Sequence, residues 1–286
     1  MGTRLIVTII AAAPLLAQGG AAAGIKVPSW VRVEANISYD QYPQTVLDIM
    51  QPSEAALEKR PGVIVIHGGG WVGGNKESMI QPHCLRYLKE GFVVCNVEYR
   101  LADVAPAPAA VTDVLKAAAW FRRNAKRYKV DPKRIVVTGS SAGGHLALMV
   151  GMTPKGTGLG PPANVAAVVN WYGITDVAEL LAGATQRDYA VRWLPEQEGR
   201  TALAHRLSPI TYVRKDVPAI LTIQGDADPV VPYEQGARLT RALRDAGAGA
   251  ELISVRGAGH GGFGEKEMDK LYRDVFKFLK KRKITR

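Results

Sequence analysis

Two stretches near the start of the chain, VRVEANISY (31–39) and TVLDIMQP (45–52), alternate or cluster apolar and polar positions, with the turn-forming DQYPQ between them. That pattern predicts two edge strands. The rhythm then changes. GVIVIH (62–67) is a continuous β-branched run that ends in glycines, and a helix is predicted over 80–90. FVVCNV (92–97) is the next such run, followed by an amphipathic helix over 109–124, and RIVVTG (134–139) leads into a helix of small residues from 142. VAAVVNW (165–171), AILTIQG (219–225) and ELISVR (251–256) complete the series, the last two separated by a helix over 233–246. Runs so uniformly apolar must be covered on both faces, and alternation with helices supplies the cover. The predicted class is α/β, an open and mostly parallel sheet with helices on both sides. Residues 172–213 fit the alternation least. They carry the aromatics Tyr189 and Trp193 and are predicted to form a small cap or wall over the active edge of the sheet.

Composition narrows the setting. Of 286 residues, 47% are hydrophobic and 22% charged, which is ordinary for a globular chain and enough for one large core, so residues 24–286 are read as a single domain. Before them, one positive charge at Arg4, an apolar run from Leu5 to Leu16 and a small-residue tail predict a secretory signal peptide over 1–23, cleaved after Gly19 or Ala23. The run is short for a membrane span and no later stretch reaches about 18 apolar residues, so the mature protein is expected to be secreted or periplasmic without a span. Two cysteines are too few for a disulfide scaffold. Cys84 and Cys95 both sit in apolar contexts and read as buried free thiols, with a disulfide between them left open. The net charge is +11, concentrated in the terminal KFLKKRKITR, which reads as a solvated helix face and frayed tail. Nucleic-acid binding is not predicted, because neither interleaved aromatics nor a binding motif accompanies the charge. The oligomeric state is not readable.

The chemistry is carried by VVTGSSAGGH (136–145). Ser141 has Gly139 and Gly143 two residues to either side, whereas Ser140 has Thr138 and Ala142. A G-x-S-x-G between a buried strand and a helix is a nucleophile elbow, in which side chains at the flanking positions would collide. Ser141 is therefore the candidate nucleophile. A serine hydroxyl needs a base and a group to orient that base. His260, in the glycine-rich GAGHGGFG after the last strand, is the candidate base. Asp228 in QGDADPVVP is the candidate acid, because it lies further round the turn than Asp226, which suits a cap of that turn. HGGGW (67–71) ends the first buried run. Gly69 and Gly70, with the amide of Ala142, are the candidate oxyanion donors, worth about 3 to 4 kcal/mol each. Trp71 either lines the acyl pocket or packs under the loop.

With these motifs the chain resembles the α/β-hydrolase superfamily, within it the hormone-sensitive-lipase-like esterases, and most closely the feruloyl and acetyl-xylan esterase-like group. The resemblance rests on LDIMQP, HGGGWVGGNK, VEYRLA, VDPKRIVVTGSSAGGHLAL, LSPITYV, GDADPVVPYEQ and GAGHGGF. It implies an α/β-hydrolase fold, Ser141, Asp228 and His260 as the triad, and the Gly69, Gly70 and Ala142 amides as the oxyanion hole. It also implies a serine carboxylesterase acting on small-molecule or polysaccharide-linked esters, acetyl or feruloyl, with no metal and no organic cofactor. Ser140 stands where hormone-sensitive-lipase relatives usually carry an acidic residue, which moves the reading toward the carbohydrate-esterase-like branch. The alternatives are an amidase or peptidase with the same triad, and a binding protein on a hydrolase fold that has lost catalysis.

Overall fold

The computed structural model describes residues 27–54 and 58–285; the predicted signal peptide lies outside the described residues. Eight strands form one sheet: β1 (Val31–Ser38), β2 (Val46–Pro52), β3 (Arg60–Ile66), β4 (Val93–Val97), β5 (Val130–Ser140), β6 (Ala167–Trp171), β7 (Ala219–Gly225) and β8 (Ala250–Val255). Their order across the sheet is β1-β2-β4-β3-β5-β6-β7-β8. From β4 to β8 every neighbouring pair is parallel, and β2 pairs antiparallel with both β1 and β4.

One strand departs from expectation. β1 lies at an edge, but β2 is interior, and Leu47, Asp48, Ile49 and Met50 are all buried. The polar Asp48 gives β2 the look of a half-solvated strand. Its carboxylate is buried instead, 3.0 Å from the Lys76 ammonium, and a charge satisfied this way can occupy a core position.

Among the described residues there are seven α-helices: α1 (Leu85–Lys89), α2 (Ala109–Arg123), α3 (Ala142–Met152), α4 (Asp188–Trp193), α5 (Arg200–Arg206), α6 (Tyr233–Asp245) and α7 (Glu265–Lys281), of which α4 and α5 lie in the 172–213 segment. Side chains alternate across the strands, so Ile64, Ile66 and Val137 join one core with α2, α3 and α6, while Val63, Val65 and Val136 join the other with α1 and α7. The helix predicted over 80–90 begins as a π-helical turn, Ile80–Cys84, before α1; Pro82, inside that turn, has no N–H for a regular ladder. Cys84 and Cys95 are free and belong to cores on opposite faces of the sheet.

The basic end behaves differently from the predicted frayed tail. α7 turns Leu271, Val275 and Phe278 inward and its lysines outward. Beyond it the chain folds back, burying Ile284 to 2% exposure, and the Ile284 carbonyl accepts from Arg134 Nη1 at 3.3 Å. A single apolar residue after a lysine run is enough to dock the tail on the core.

The strand order places the site. From β3 the chain moves outward to β4 and returns on the other side of β3 as β5. Loops leaving the C-terminal ends of β3 and β5 therefore diverge over a crevice, which is where open α/β sheets bind ligands.

Candidate active site

Ile66 of β3 pairs with Gly139 of β5, so the HGGGW loop and the GSSAG turn leave the sheet side by side. At Ser141 the backbone is forced to φ 57° and ψ −122°, a conformation costly for a residue with a Cβ and characteristic of functional turns. The strain is held from three sides. Ser141 N–H donates to the Trp171 carbonyl at 2.9 Å, and α3 begins at once. A Cβ on Gly139 would stand 2.3 Å from the Gly143 carbonyl oxygen, and one on Gly143 would stand 2.2 Å from that of Ile66. The two glycines are required by backbone contact across the elbow.

The Ser141 hydroxyl lies 2.8 Å from His260 Nε2, and His260 Nδ1 lies 2.8 Å from Asp228 Oδ2. The Asp228 side chain is fully buried, and its Oδ1 accepts the Val230 and Val231 amides at 2.8 and 2.9 Å while Oδ2 accepts Gln224 Nε2 at 3.0 Å. Held as an acceptor on every side, Asp228 takes the Nδ1–H of His260 and leaves Nε2 to accept from Ser141. Asp226 does something else. Its Oδ1 accepts the Gly257 amide at 2.6 Å, tying the turn after β7 to the loop that carries His260. The ring of Tyr172 flanks His260 edge-on, with centroids 4.9 Å apart.

Gly69 and Gly70 line the same cavity as Ser141 and His260. Their amides donate to no other backbone group among the described residues, and Ala142 is the first residue of α3, with no helical carbonyl to donate to. Three N–H groups thus stay free around the serine. The Gly69 carbonyl is turned away, accepting the Val72 and Gly73 amides at 3.1 and 3.0 Å.

Trp71 stands behind this loop, away from the cavity wall. It is fully buried, stacks on Trp193 with centroids 4.1 Å apart, and donates through Nε1 to His145 Nδ1 at 3.2 Å. Of the two readings of Trp71, packing under the loop is the one the geometry supports. The His145 Nε2–H in turn donates to the Leu207 carbonyl at 2.7 Å. The segment 172–213 therefore anchors the glycine loop from below through Trp193 and Leu207, and Tyr172 and Tyr189 are its contribution to the cavity.

A second support lies deeper. The His67 ring stacks on Tyr99 and its Nε2 lies 2.7 Å from Glu98 Oε1; the other Glu98 oxygen accepts the Lys76 amide at 3.0 Å. Lys76 is 2% exposed, paired with Asp48 and Glu77. Burial lifts the Asp48 carboxyl above its ordinary pKa. Burial works against the Lys76 ammonium, yet Glu77 and Asp48 together hold it above the ordinary lysine value. His145, Asp48, Lys76 and Glu98 were not singled out from the sequence, and Trp193 was noted only as an aromatic of the 172–213 segment. The lysine in GGNK is the one hint, since a loop lysine usually stays in water.

His145 and His83 are buried, and desolvation pushes their pKa values down to about 4 and about 3, Arg86 adding to the effect on His83. In the unfolded chain each titrates near 6.5. The unfolded state therefore takes up protons that the folded state refuses. Stability is full above pH of about 6.5 and declines toward pH 4, by up to about 1.4 kcal/mol per pH unit for each histidine. Urea midpoints are expected to hold from pH 7.5 to about 6.5 and to fall from there to pH 5; a flat profile throughout would contradict neutral burial of both rings.

An open, mostly parallel sheet, a strained serine at the turn after its fifth strand and a hydrogen-bonded Ser–His–Asp chain across its C-terminal edge define an α/β hydrolase. The chain belongs to the BD-FAE family, whose sequence profile matches residues 47–243. Esterase LipQ of Mycobacterium tuberculosis is 30% identical over an alignment of 217 residues that covers 72% of this chain and 51% of LipQ. Esterase LipC of the same organism is 29% identical over 79% of this chain and 59% of its own length. The chain thus spans between half and three fifths of these curated relatives. Among solved structures, a truncated form of a carbohydrate esterase from gut microbiota superposes with a TM-score of 0.77 at 30% identity, covering 93% of this chain and 99% of that one. A bifunctional GH43-CE protein of Bacteroides eggerthii gives 0.76 at 29%, covering 90% and 38%.

Proposed function

We propose that the chain is a serine carboxylesterase that works through an acyl-enzyme on Ser141. The observation that carries this is the unbroken Ser141–His260–Asp228 chain, 2.8 Å at each link, opening into a cavity of about 670 Å³ beside three undonated amides. In the reaction, Ser141 Oγ attacks the ester carbonyl while its proton passes to His260 Nε2. Asp228 fixes the Nδ1–H tautomer and stabilises the imidazolium. The oxyanion is met by the Gly69, Gly70 and Ala142 amides. Collapse breaks the bond to the alcohol, whose oxygen takes the proton from His260. Water then attacks the acyl-serine, gives its proton to His260, and the acid leaves as Ser141 regains its hydrogen.

Acyl groups carried on carbohydrate or hydroxycinnamate esters are the favoured substrates. The support is family membership and likeness to proteins named as carbohydrate esterases. The cavity is of a size that holds such groups. A substrate met outside the cytoplasm goes with the reading of residues 1–23 as a secretory signal.

The test compares p-nitrophenyl acetate with the matching acetanilide and treats the protein with a fluorophosphonate probe. Hydrolysis of the ester far ahead of the anilide, with labelling confined to Ser141, is expected. An equal or faster anilide rate would turn the assignment to an amidase. Absence of both labelling and hydrolysis would leave a hydrolase-fold binding protein.

A further inference from the structure

One wing of the cavity is not used by the hydrolytic chemistry. Met79, Pro82, Phe263 and Met268 line it, with Ser78 and Ser140 nearby, and His83 is the basic group among them. His83 is 4% exposed and sits edge-on against Trp171, with centroids 5.2 Å apart. Its Nδ1 lies 2.6 Å from the Tyr272 hydroxyl, itself only 2% exposed. Among the described residues Nε2 has no hydrogen-bond partner, and it is not one of the sealed polar atoms of the core, so it remains open to the cavity its ring lines.

The tautomer follows from satisfying both groups. The Tyr272 hydroxyl has His83 as its hydrogen-bond partner, and burial keeps the phenol protonated. If Nδ1 donated, the Tyr272 hydrogen would be buried without an acceptor, the costly arrangement. With Tyr272 donating to Nδ1, nothing is left over and the ring's single hydrogen sits on Nε2. Burial also holds the ring neutral, with its pKa near 3. The wing therefore presents an uncharged N–H among Met79, Pro82, Phe263 and Met268, with the Ser140 hydroxyl, 3.9 Å from the Met79 sulfur, as a neighbouring polar group.

We propose that His83 is a specificity-determining residue, its Nε2–H donating to a hydroxyl or ether oxygen of the substrate's alcohol portion, with Tyr272 as the positioning residue that fixes its tautomer. The alcohol is the portion concerned because its oxygen must receive the proton from His260, and the chain running on from His260 through Phe263 to Met268 forms this wing. The inference rests on the esterase reading.

The test uses two acetyl esters with a common acyl group, a mono-O-acetylated methyl xyloside and ethyl acetate. The variant His83→Phe/Tyr272→Phe removes both polar partners and keeps both rings, so neither is left unpaired in the core. The ratio of kcat/KM for the sugar ester to that for ethyl acetate is expected to fall about tenfold, the worth of one hydrogen bond. In a Ser141→Ala background, where turnover plays no part, Kd for the sugar ester is expected to weaken by a similar factor. An unchanged ratio, or an unchanged Kd, overturns the role of His83. Failure of the unaltered protein to hydrolyse either ester, with Kd still sensitive to the pair, would instead overturn the esterase reading and leave the donor standing.

Discussion

Ser141→Ala is expected to lower ester turnover by on the order of 10⁵-fold or more while the fold stays intact. The variant loses the one atom that attacks. The base and its orienting acid are left without a nucleophile, and members of such a set act as a unit. What survives is the cavity and the three amides, which still favour the transition state for attack by water. Folding should be little affected, because Ser141 contributes one side-chain hydrogen bond, to His260, and alanine keeps the Cβ that the elbow already accommodates at φ 57°. Rates on p-nitrophenyl acetate and a thermal melt decide the matter together. Turnover within tenfold of the unaltered protein, in a folded sample, would remove Ser141 from the mechanism.

Lys76→Met is expected to cost about 3 to 5 kcal/mol of stability, the range for removing one partner of a buried ion pair. Asp48 has a fully buried side chain in an interior strand, and its charge is answered by Lys76 Nζ at 3.0 Å. Methionine fills the space of the lysine stem but leaves that carboxylate uncompensated. The same residue ties the glycine loop to the sheet through its backbone, its amide donating to Glu98 and its carbonyl accepting Asn96 Nδ2 at 2.7 Å. Lys76→Met/Asp48→Asn should regain most of the loss, since asparagine can still accept the Asn36 amide now held by Asp48 Oδ1 at 2.8 Å. Urea unfolding of the single and double variants measures both numbers. A single variant within about 1 kcal/mol of the unaltered protein would mean that Asp48 does not need Lys76, its carboxyl being protonated or hydrated instead.

The parts of the molecule that could be read in advance are those with a local cause. Strands β3 to β7 are legible because a continuous apolar run can be sheltered only inside a covered sheet; β8 was read the same way, but it closes the far edge of the sheet and its residues are mostly part-exposed. The elbow is legible because Gly139 and Gly143 are the residues that two backbone collisions demand, and Ser141 stands midway between them. The choice of Asp228 over Asp226 rested on how far round a turn each lies, and their partners differ accordingly: His260 for one, the Gly257 amide for the other.

Other features depend on which distant segments meet. β2 was read as an edge strand from its pattern of apolar and polar positions; β1 pairs along its outer side and makes it interior, and Lys76, 28 positions away, answers the Asp48 charge that this buries. Trp71 could face the cavity or the core with equal local sense; Trp193 and His145 draw it beneath the loop. The tail after α7 is charged enough to fray, yet Ile284 docks it. His83 lies in the stretch predicted as a helix over 80–90, and only the approach of Tyr272 at 2.6 Å gives its ring a defined hydrogen.

The order of apolar runs and glycines was enough to establish an α/β sheet with a serine nucleophile turn, because steric exclusion and burial act on neighbours in the chain. Which buried charge is answered, which aromatic stands behind the glycine loop and which polar hydrogen faces the substrate were decided by the tertiary fold. Those properties are pairwise, and the partners lie tens to nearly two hundred residues apart.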